Sequence, residues 1–314
     1  MFSVIIPLYN KELYIQKAIQ SVLNQTVSDF EIIVVDNNST DLSFEKAKSI
    51  SDPRLKFVSE KTKGVSSARN KGIQEAKFEY ICFLDADDYW LENHLSHLKD
   101  MIQVHPNMGL YANSYFIVES NGSQRERVFS QSSEGEIVVL KNYFKDISSG
   151  DSPIHIDAAC VPKSVLLEIG CFNPQIHYGE DSLLWSLIFL NYPMILSNFA
   201  DVVYVRSADN RSDTPEKLCV ELPVVKELEK LLEHQNASKF QNDIRACIAK
   251  QLFLNLVSCL KTGRMKEAKA FVKDVRISYF PSTFKLKFLT VLSYLPGFVT
   301  KFILVLLYNL KLVK

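Results

Sequence analysis

The six cysteines, at positions 82, 160, 171, 219, 247 and 259, include no C-x-x-C pair. Several stand in apolar runs, where cysteine behaves as a small hydrophobe. A disulfide framework and a zinc site are both disfavoured, and a reducing compartment is expected. Glycine-rich phosphate cradles are also missing: no G-x-G-x-x-G follows the first apolar run, and there is no P-loop. Dinucleotide oxidoreductases and P-loop phosphotransferases are therefore disfavoured. Neither sign of charge is in excess, since 36 Lys and Arg balance 36 Asp and Glu, which argues against a general nucleic-acid binder. The N-terminal "MFSVIIPLYN" lacks a basic region, and its apolar run is too short for a secretion signal. It reads as a strand, and the body of the protein is expected to stay in the cytoplasm. No internal repeat or low-complexity tract stands out.

What the chain does have is ordinary globular composition, 47% hydrophobic and 23% charged over 314 residues, enough for one large domain or two smaller ones. Strand-like and helix-like runs alternate through the first 90 residues: "FSVIIPL", "KELYIQKAIQSVLNQ", "FEIIVVD", "STDLSFEKAKSI", "RLKFVS", "GVSSARNKGIQEAK" and "FEYICFLD". Ser39 or Thr40 is the expected N-cap of the second helix. Such alternation predicts β-α-β crossovers and a mostly parallel sheet. Further on, 92–105 reads as a helix, "MGLYANSYFIV" and "IHIDAACV" as strands, and "PKSVLLEIG" as a short helix ending at Gly170. "EDSLLWSLIFL" reads as an apolar helix and "DVVYVRS" as a last strand. The polar stretch 119–152 is expected to be a hairpin or loop region over a sheet edge. Helices are expected over 216–234 and 240–275.

Ligands of parallel α/β sheets bind outside the carboxyl ends of the strands. Three predicted strands end there in "PLYN", "VDNNS" and "DADD". Closely spaced carboxylates are stable as anions only around a cation or under strong hydrogen bonding. Hard oxygen ligands suit Mg²⁺ or Mn²⁺, which take one or two carboxylates together with phosphate oxygens. Asp85 and Asp87 are thus candidate ligands. The plainer alternative is a solvated acidic turn with Asp88 capping the next helix. In "YGEDSLLW", Glu180 and Asp181 fall at a helix start, where the dipole favours acidic side chains for structural reasons alone. The same dipole would keep a carboxylate ionised and able to accept a proton.

In this order "SVIIPLYN", "SVLNQTVSDFEIIVVDNNSTD", "KGVSSARNKGI", "YICFLDADD" and "GED" resemble the family-2 glycosyltransferases over about residues 1–207. The resemblance implies a GT-A fold, a nucleotide-diphosphate sugar donor (a UDP-sugar by preference), Mn²⁺ or Mg²⁺, and inversion at the anomeric carbon. It implies that Pro7, Tyr9 and Glu12 flank the nucleoside and that Asp36 and Asn37 face the base. Asp85 and Asp87 match the D-x-D, with Asp87 the more direct metal ligand, and Asp181 matches the catalytic base beside Glu180. Arg69 matches a position near the nucleotide, with a structural ion pair to an acidic strand end as the alternative. Where many relatives place a histidine towards the diphosphate, near "YVRSADNRS", this chain has none. Arg206 and Arg211 are candidate phosphate contacts instead, and His177 reads as a surface or packing residue.

Residues 261–314 carry eleven Lys/Arg and two Asp/Glu, net +9, so the preceding residues hold 25 against 34, net −9. "FLTVLSYLPGFVT" and "FILVLLYNL" are uncharged runs shorter than the ~20 residues of a spanning helix. Pro296 and Gly297 would break any helix through both. A surface-lying attachment to an anionic membrane is expected, with a buried helical cap or a dimer interface as alternatives. The expectations combine into a GT-A catalytic domain over 1–212 and a helical region over 213–314, peripheral on the inner face of the plasma membrane. The function expected is sugar transfer to a saccharide or lipid-linked acceptor in surface-polysaccharide assembly. A nucleotidyltransferase and a non-catalytic sugar-nucleotide scaffold are the rivals. The former would need a basic glycine-rich loop where "PLYNKELY" stands.

Overall fold

The structure, a computed structural model, describes residues 1–119, 121–127, 136–150, 152–206, 218–219, 223–280, 283–297, 299–300 and 303. The chain divides into two compact units, Met1–Lys141 with Ser152–Asn210, and Asn142–Asp151 with Arg211–Lys314.

The first unit opens with β1 (Phe2–Leu8), α1 (Ile15–Leu23), β2 (Phe30–Asp36), α2 (Ser43–Lys48), β3 (Leu55–Ser59), α3 (Val65–Glu75) and β4 (Tyr80–Phe83). It continues through β5 (Tyr89–Trp90), α4 (His94–Val104), β6 (Leu110–Val118), β7 (Gln124–Arg127) and β8 (Ile137–Val139). After α5 (Tyr143–Ser149), which belongs to the second unit, come β9 (Ala159–Pro162), α6 (Lys163–Ile169), α7 (Glu180–Asn191) and β10 (Met194–Val205). One sheet runs in the order β3-β2-β1-β4-β9-β6-β10-β5, with β7 on β6 and β8 on β10. The β3-β2-β1-β4 half is parallel, as is the β6–β10 pair, while β9, β5, β7 and β8 join antiparallel.

The parallel half follows from its composition. β1 and β2 are almost wholly buried, as strands covered on both faces must be. On α1, Ile15, Ala18, Ile19 and Val22 form one apolar stripe turned to the core. Register places Leu8 beside Asp36 and Ile5 beside Phe83, so β1, β2 and β4 end together on one rim. Gly72 lets α3 lie close on β1, since a methyl at that position would collide with Ile5.

Several local expectations are corrected. The N-cap of α2 is Leu42, neither Ser39 nor Thr40. Ser39 Oγ accepts the Asn10 N–H (3.3 Å) and the Thr40 N–H donates to Asn10 Oδ1 (2.8 Å), which ties the β1–α1 and β2–α2 loops together. "IHIDAACV" is not one strand: residues 156–158 make a 3₁₀ turn before β9. Gly170 does end α6, in the left-handed conformation at φ 98°.

The second unit adds α8 (Pro223–Leu231), α9 (Gln241–Thr262), α10 (Met265–Lys273) and α11 (Thr283–Ser293). The helix expected over 240–275 breaks at Gly263, left-handed at φ 78°. α5 is held on α9 by Asn142 Nδ2–H donating to Asp243 Oδ2 (2.9 Å) and by the Cys247 thiol donating to the Phe144 carbonyl (3.1 Å). The run 302–310 lies outside the described residues except for residue 303, as does most of 216–222. Among the described residues no helix is long and apolar enough to cross a membrane.

Candidate functional site

β4 drives Ile81, Cys82, Phe83 and Leu84 through the core and delivers "DADD" to the rim. The turn closes on itself, the Asp88 N–H donating to the Asp85 carbonyl at 3.0 Å. Asp88 does not cap α4, whose N-cap is Asn93. It is buried, and its Oδ1 accepts the Val205 N–H at 2.6 Å. The Asp85 and Asp87 side chains keep partial exposure, 32% and 18%.

Arg69, on α3 and 2% exposed, spans two elements far apart in sequence. Its Nη2 donates to Asp85 Oδ1 and its Nη1 to Glu180 Oε1, each at 2.8 Å. Gly179, left-handed at φ 78°, turns the chain into α7 so that Glu180 and Asp181 start the helix. The Ser182 N–H donates to Asp181 Oδ1 at 2.6 Å. Arg69 therefore draws the β4 end and the α7 start together, and Asp181 lies within the field of Asp85's partner. Burial pushes the Asp181 carboxyl above the ordinary range, and the Glu180 charge adds to this, while Arg69 and His155 oppose it.

The carboxylates fit a hard divalent cation. Burial raises the Asp85 carboxyl, Arg69 counters it, and the charges of Asp157 and Asp87 raise it further. The Lys11 ammonium sits 2.8 Å from Asp87 Oδ2, so a positive charge already stands at this carboxylate. Below them lies a second set: one ligand-type atom each from Asp88, His155 and Asp157, all within 4.8 Å of one another. Burial, then the charge of the neighbouring Asp157, pushes the Asp88 carboxyl well up. Burial works against the ionised Asp157, but the adjacent His155 holds its carboxyl below the ordinary range. Asp85 and Asp87 keep partial exposure at the rim, so they are the better donors to a cation that also binds phosphate.

The remaining expected residues lie along the same rim. Pro7 stands in β1 opposite Val35, and Tyr9 is 49% exposed just beyond it. Glu12 Oε2 accepts the Leu42 N–H (3.2 Å), and Asp36 Oδ1 accepts the Ser39 N–H (3.3 Å). Asn37 is buried with its amide committed: Nδ2 donates to the Glu60 and Thr62 carbonyls and Oδ1 accepts the Gly64 N–H, each at 2.8 Å. It thus holds the 60–64 loop before α3. Arg206 pairs with Glu119 at 3.2 Å, His177 is exposed near Gly64, and Arg211 lies outside the described residues.

Three residues of the rim were not singled out from sequence: Lys11, His155 and Asp157. "IHIDAACV" held a signal for two of them, because charged side chains two apart in an apolar run must find partners when buried.

The model of glycosyl transferase family 2 matches residues 3–158. Residues 3–158 thus form a glycosyl transferase family 2 domain. Relatives include an uncharacterized glycosyltransferase of Rickettsia bellii, 34% identical over 184 residues, which are 58% of this chain and 25% of that protein. Glycosyltransferase GlyG of Streptococcus pneumoniae is 31% identical over 183 residues, 57% of this chain and 60% of that one. The Escherichia coli enzyme WfgD, a UDP-Glc:alpha-D-GlcNAc-diphosphoundecaprenol beta-1,3-glucosyltransferase, is 35% identical over 122 residues, 38% and 48% of the two chains. The alignments thus span between a quarter and three-fifths of these relatives. Among solved structures, S. aureus TarS 1-349 in complex with UDP-GlcNAc superposes with a TM-score of 0.69 at 18% identity, over 93% of this chain and 89% of that one. The chain therefore has the GT-A fold, with a helical C-terminal region.

Proposed function

We propose that the protein is an inverting glycosyltransferase that moves a sugar from a nucleotide-diphosphate donor to a hydroxyl of a saccharide or lipid-linked saccharide in bacterial surface-polysaccharide assembly. The observation that carries this reading is Arg69 bridging Asp85 and Glu180, because it gathers a phosphate-type cation site and a candidate base at one rim. UDP is the favoured nucleotide: TarS is solved with UDP-GlcNAc and with UDP, and WfgD uses UDP-Glc with a diphosphoundecaprenol-linked acceptor.

Asp181 accepts the proton of the acceptor hydroxyl as its oxygen attacks the anomeric carbon. The bond from that carbon to the diphosphate breaks on the opposite face, so the configuration inverts. Arg69 keeps Glu180 and Asp85 paired, which leaves the Asp181 carboxylate as the proton acceptor of the group. Tyr9, Pro7, Glu12 and Asp36 line the rim where the nucleoside would lie, with Asn37 shaping the loop behind it. Asp85 and Asp87 would hold Mn²⁺ or Mg²⁺, which supplies charge neutralisation for the departing nucleoside diphosphate. Residues 1–212 act as the catalytic domain, and the basic, apolar tail of the helical region 213–314 attaches it to the inner membrane face.

A thermal-shift panel of nucleotide sugars with Mn²⁺, Mg²⁺ or chelator tests this. Stabilisation by one donor class in the presence of metal is expected. Equal shifts in chelator would remove the cation from the reading, and no shift with any nucleotide sugar would remove the donor.

A further inference from the structure

We propose that Asp157 is a positioning residue that holds the Asp85–Asp88 turn in the geometry that receives the donor. The inference rests on the reading of Asp85 and Asp87 as the donor and cation site. Asp157 is wholly buried beside that turn. Its Oδ1 accepts the Asp85 N–H at 2.7 Å, and one of its carboxylate oxygens lies within 4.8 Å of one of Asp88. Its carbonyl accepts Trp90 Nε1–H at 2.8 Å, which fixes the strand that leaves the turn. Asp88 in turn accepts the Val205 N–H at the end of β10. His155 Nδ1 lies 3.4 Å from both the Asp157 nitrogen and Oδ2, and its ring is flanked by Tyr115 (5.2 Å) and Tyr204 (4.3 Å). The turn bears three carboxylates and Asp157 adds a fourth, so its hold comes from the Asp85 N–H that it accepts. A buried charge gives little net stability over an apolar replacement. What Asp157 contributes is direction: one side chain sets where the Asp85 backbone lies, as outer partners orient metal-binding carboxylates.

The chemistry separates the variants. In Asp157→Asn, Oδ1 can still accept the Asp85 N–H, whereas Asp157→Ala cannot accept it. In the full-length protein, calorimetry of UDP with Mn²⁺ is expected to show about ten-fold or greater loss for Asp157→Ala, the scale of a lost buried hydrogen bond. The Asn variant should recover most of that affinity. Donor KM should rise in Asp157→Ala by more than kcat falls. Asp88→Ala frees the other end of the same turn from the Val205 N–H. It should give a similar loss that does not add to that of Asp157→Ala, and it serves alone if Asp157→Ala does not fold. Wild-type UDP binding that is equal in chelator overturns the donor-site reading beneath the inference. If wild-type binding depends on metal, native affinity in folded Asp157→Ala or Asp88→Ala overturns the inference itself. So does an Asn variant as poor as Ala.

Discussion

A carboxylate that takes a proton from a hydroxyl works better when its own pKa is raised, and burial together with Glu180 raises that of Asp181. Replacing it by an isosteric amide keeps the helix start and the Arg69 pairs, which use Glu180 and Asp85. Asp181→Asn is therefore expected to bind donor normally and lose about 10²–10⁴-fold in turnover, the usual range for a general base. Single-turnover transfer beside UDP calorimetry checks both halves; near-native turnover would move the base to another group. The same shift sets a pH dependence. The base acts only when ionised, so kcat should fall as pH drops through a pKa above the ordinary 3.8, and Asp181→Asn should lose that acid limb. Asp85, Asp87 and Asp181 stood out in sequence as candidates because each follows a sharp change from apolar strand or glycine turn to clustered charge. Asp157 and Lys11 did not, since their meaning lies in pairings 72 and 76 residues away.

Among the elements, legibility followed burial pattern. β1, β2 and β4 are continuous apolar runs with no competing reading, and α1 carries an unambiguous stripe. β5, β7 and β8 hold two to four residues each, too short to show any period. The 3₁₀ turn at 156–158 was hidden inside an apolar run because the partner of Asp157, the Asp85 N–H, is distant in sequence. The cap of α2 was missed because the polar residues ahead of it bond to a neighbouring loop instead. Gly72 joins element to site: α3 carries Arg69 three residues earlier on the face near β1. A side chain at 72 would force α3 off Ile5, so Gly72→Ala should cost about 1–3 kcal/mol, the range for overpacking a well-filled core. Urea unfolding reads this cost, and UDP affinity should fall with it as Arg69 shifts from Asp85 and Glu180. A variant with unchanged midpoint would show that α3 does not need the close approach.

At the scale of the molecule, the net −9 of residues 1–260 stands against the net +9 of 261–314, an acidic body and a cationic end. In the second unit α11 packs against α9 and α10 with Leu289 and Leu292 buried, while Val291 and Tyr294 are about 60% exposed (62% and 60%). Val275 and Tyr279 add exposed apolar surface to the same unit, and Lys269 lies over the Tyr294 ring at 5.3 Å. Aromatic and aliphatic tips among lysines suit an interfacial surface, where apolar insertion and anionic headgroups act together. Because α11 is part of that unit's core, removing everything from residue 285 would expose Leu289 and Leu292's partners. A cut after residue 300 spares them and removes Lys301, Lys311, Lys314 and the run "FILVLLYNL". Full-length protein should float with vesicles containing anionic lipid and less so with neutral ones. The 1–300 truncation and Val291→Ser/Tyr294→Ser should each weaken flotation while keeping the metal-dependent UDP shift. Raising salt should reduce attachment without abolishing it, since screening weakens the charge attraction and leaves apolar insertion. If the full-length protein stays at the bottom of the gradient with anionic vesicles, the membrane attachment falls. If the truncation unfolds, the run beyond residue 300 is a buried cap and the exposed face of α11 has another occupant.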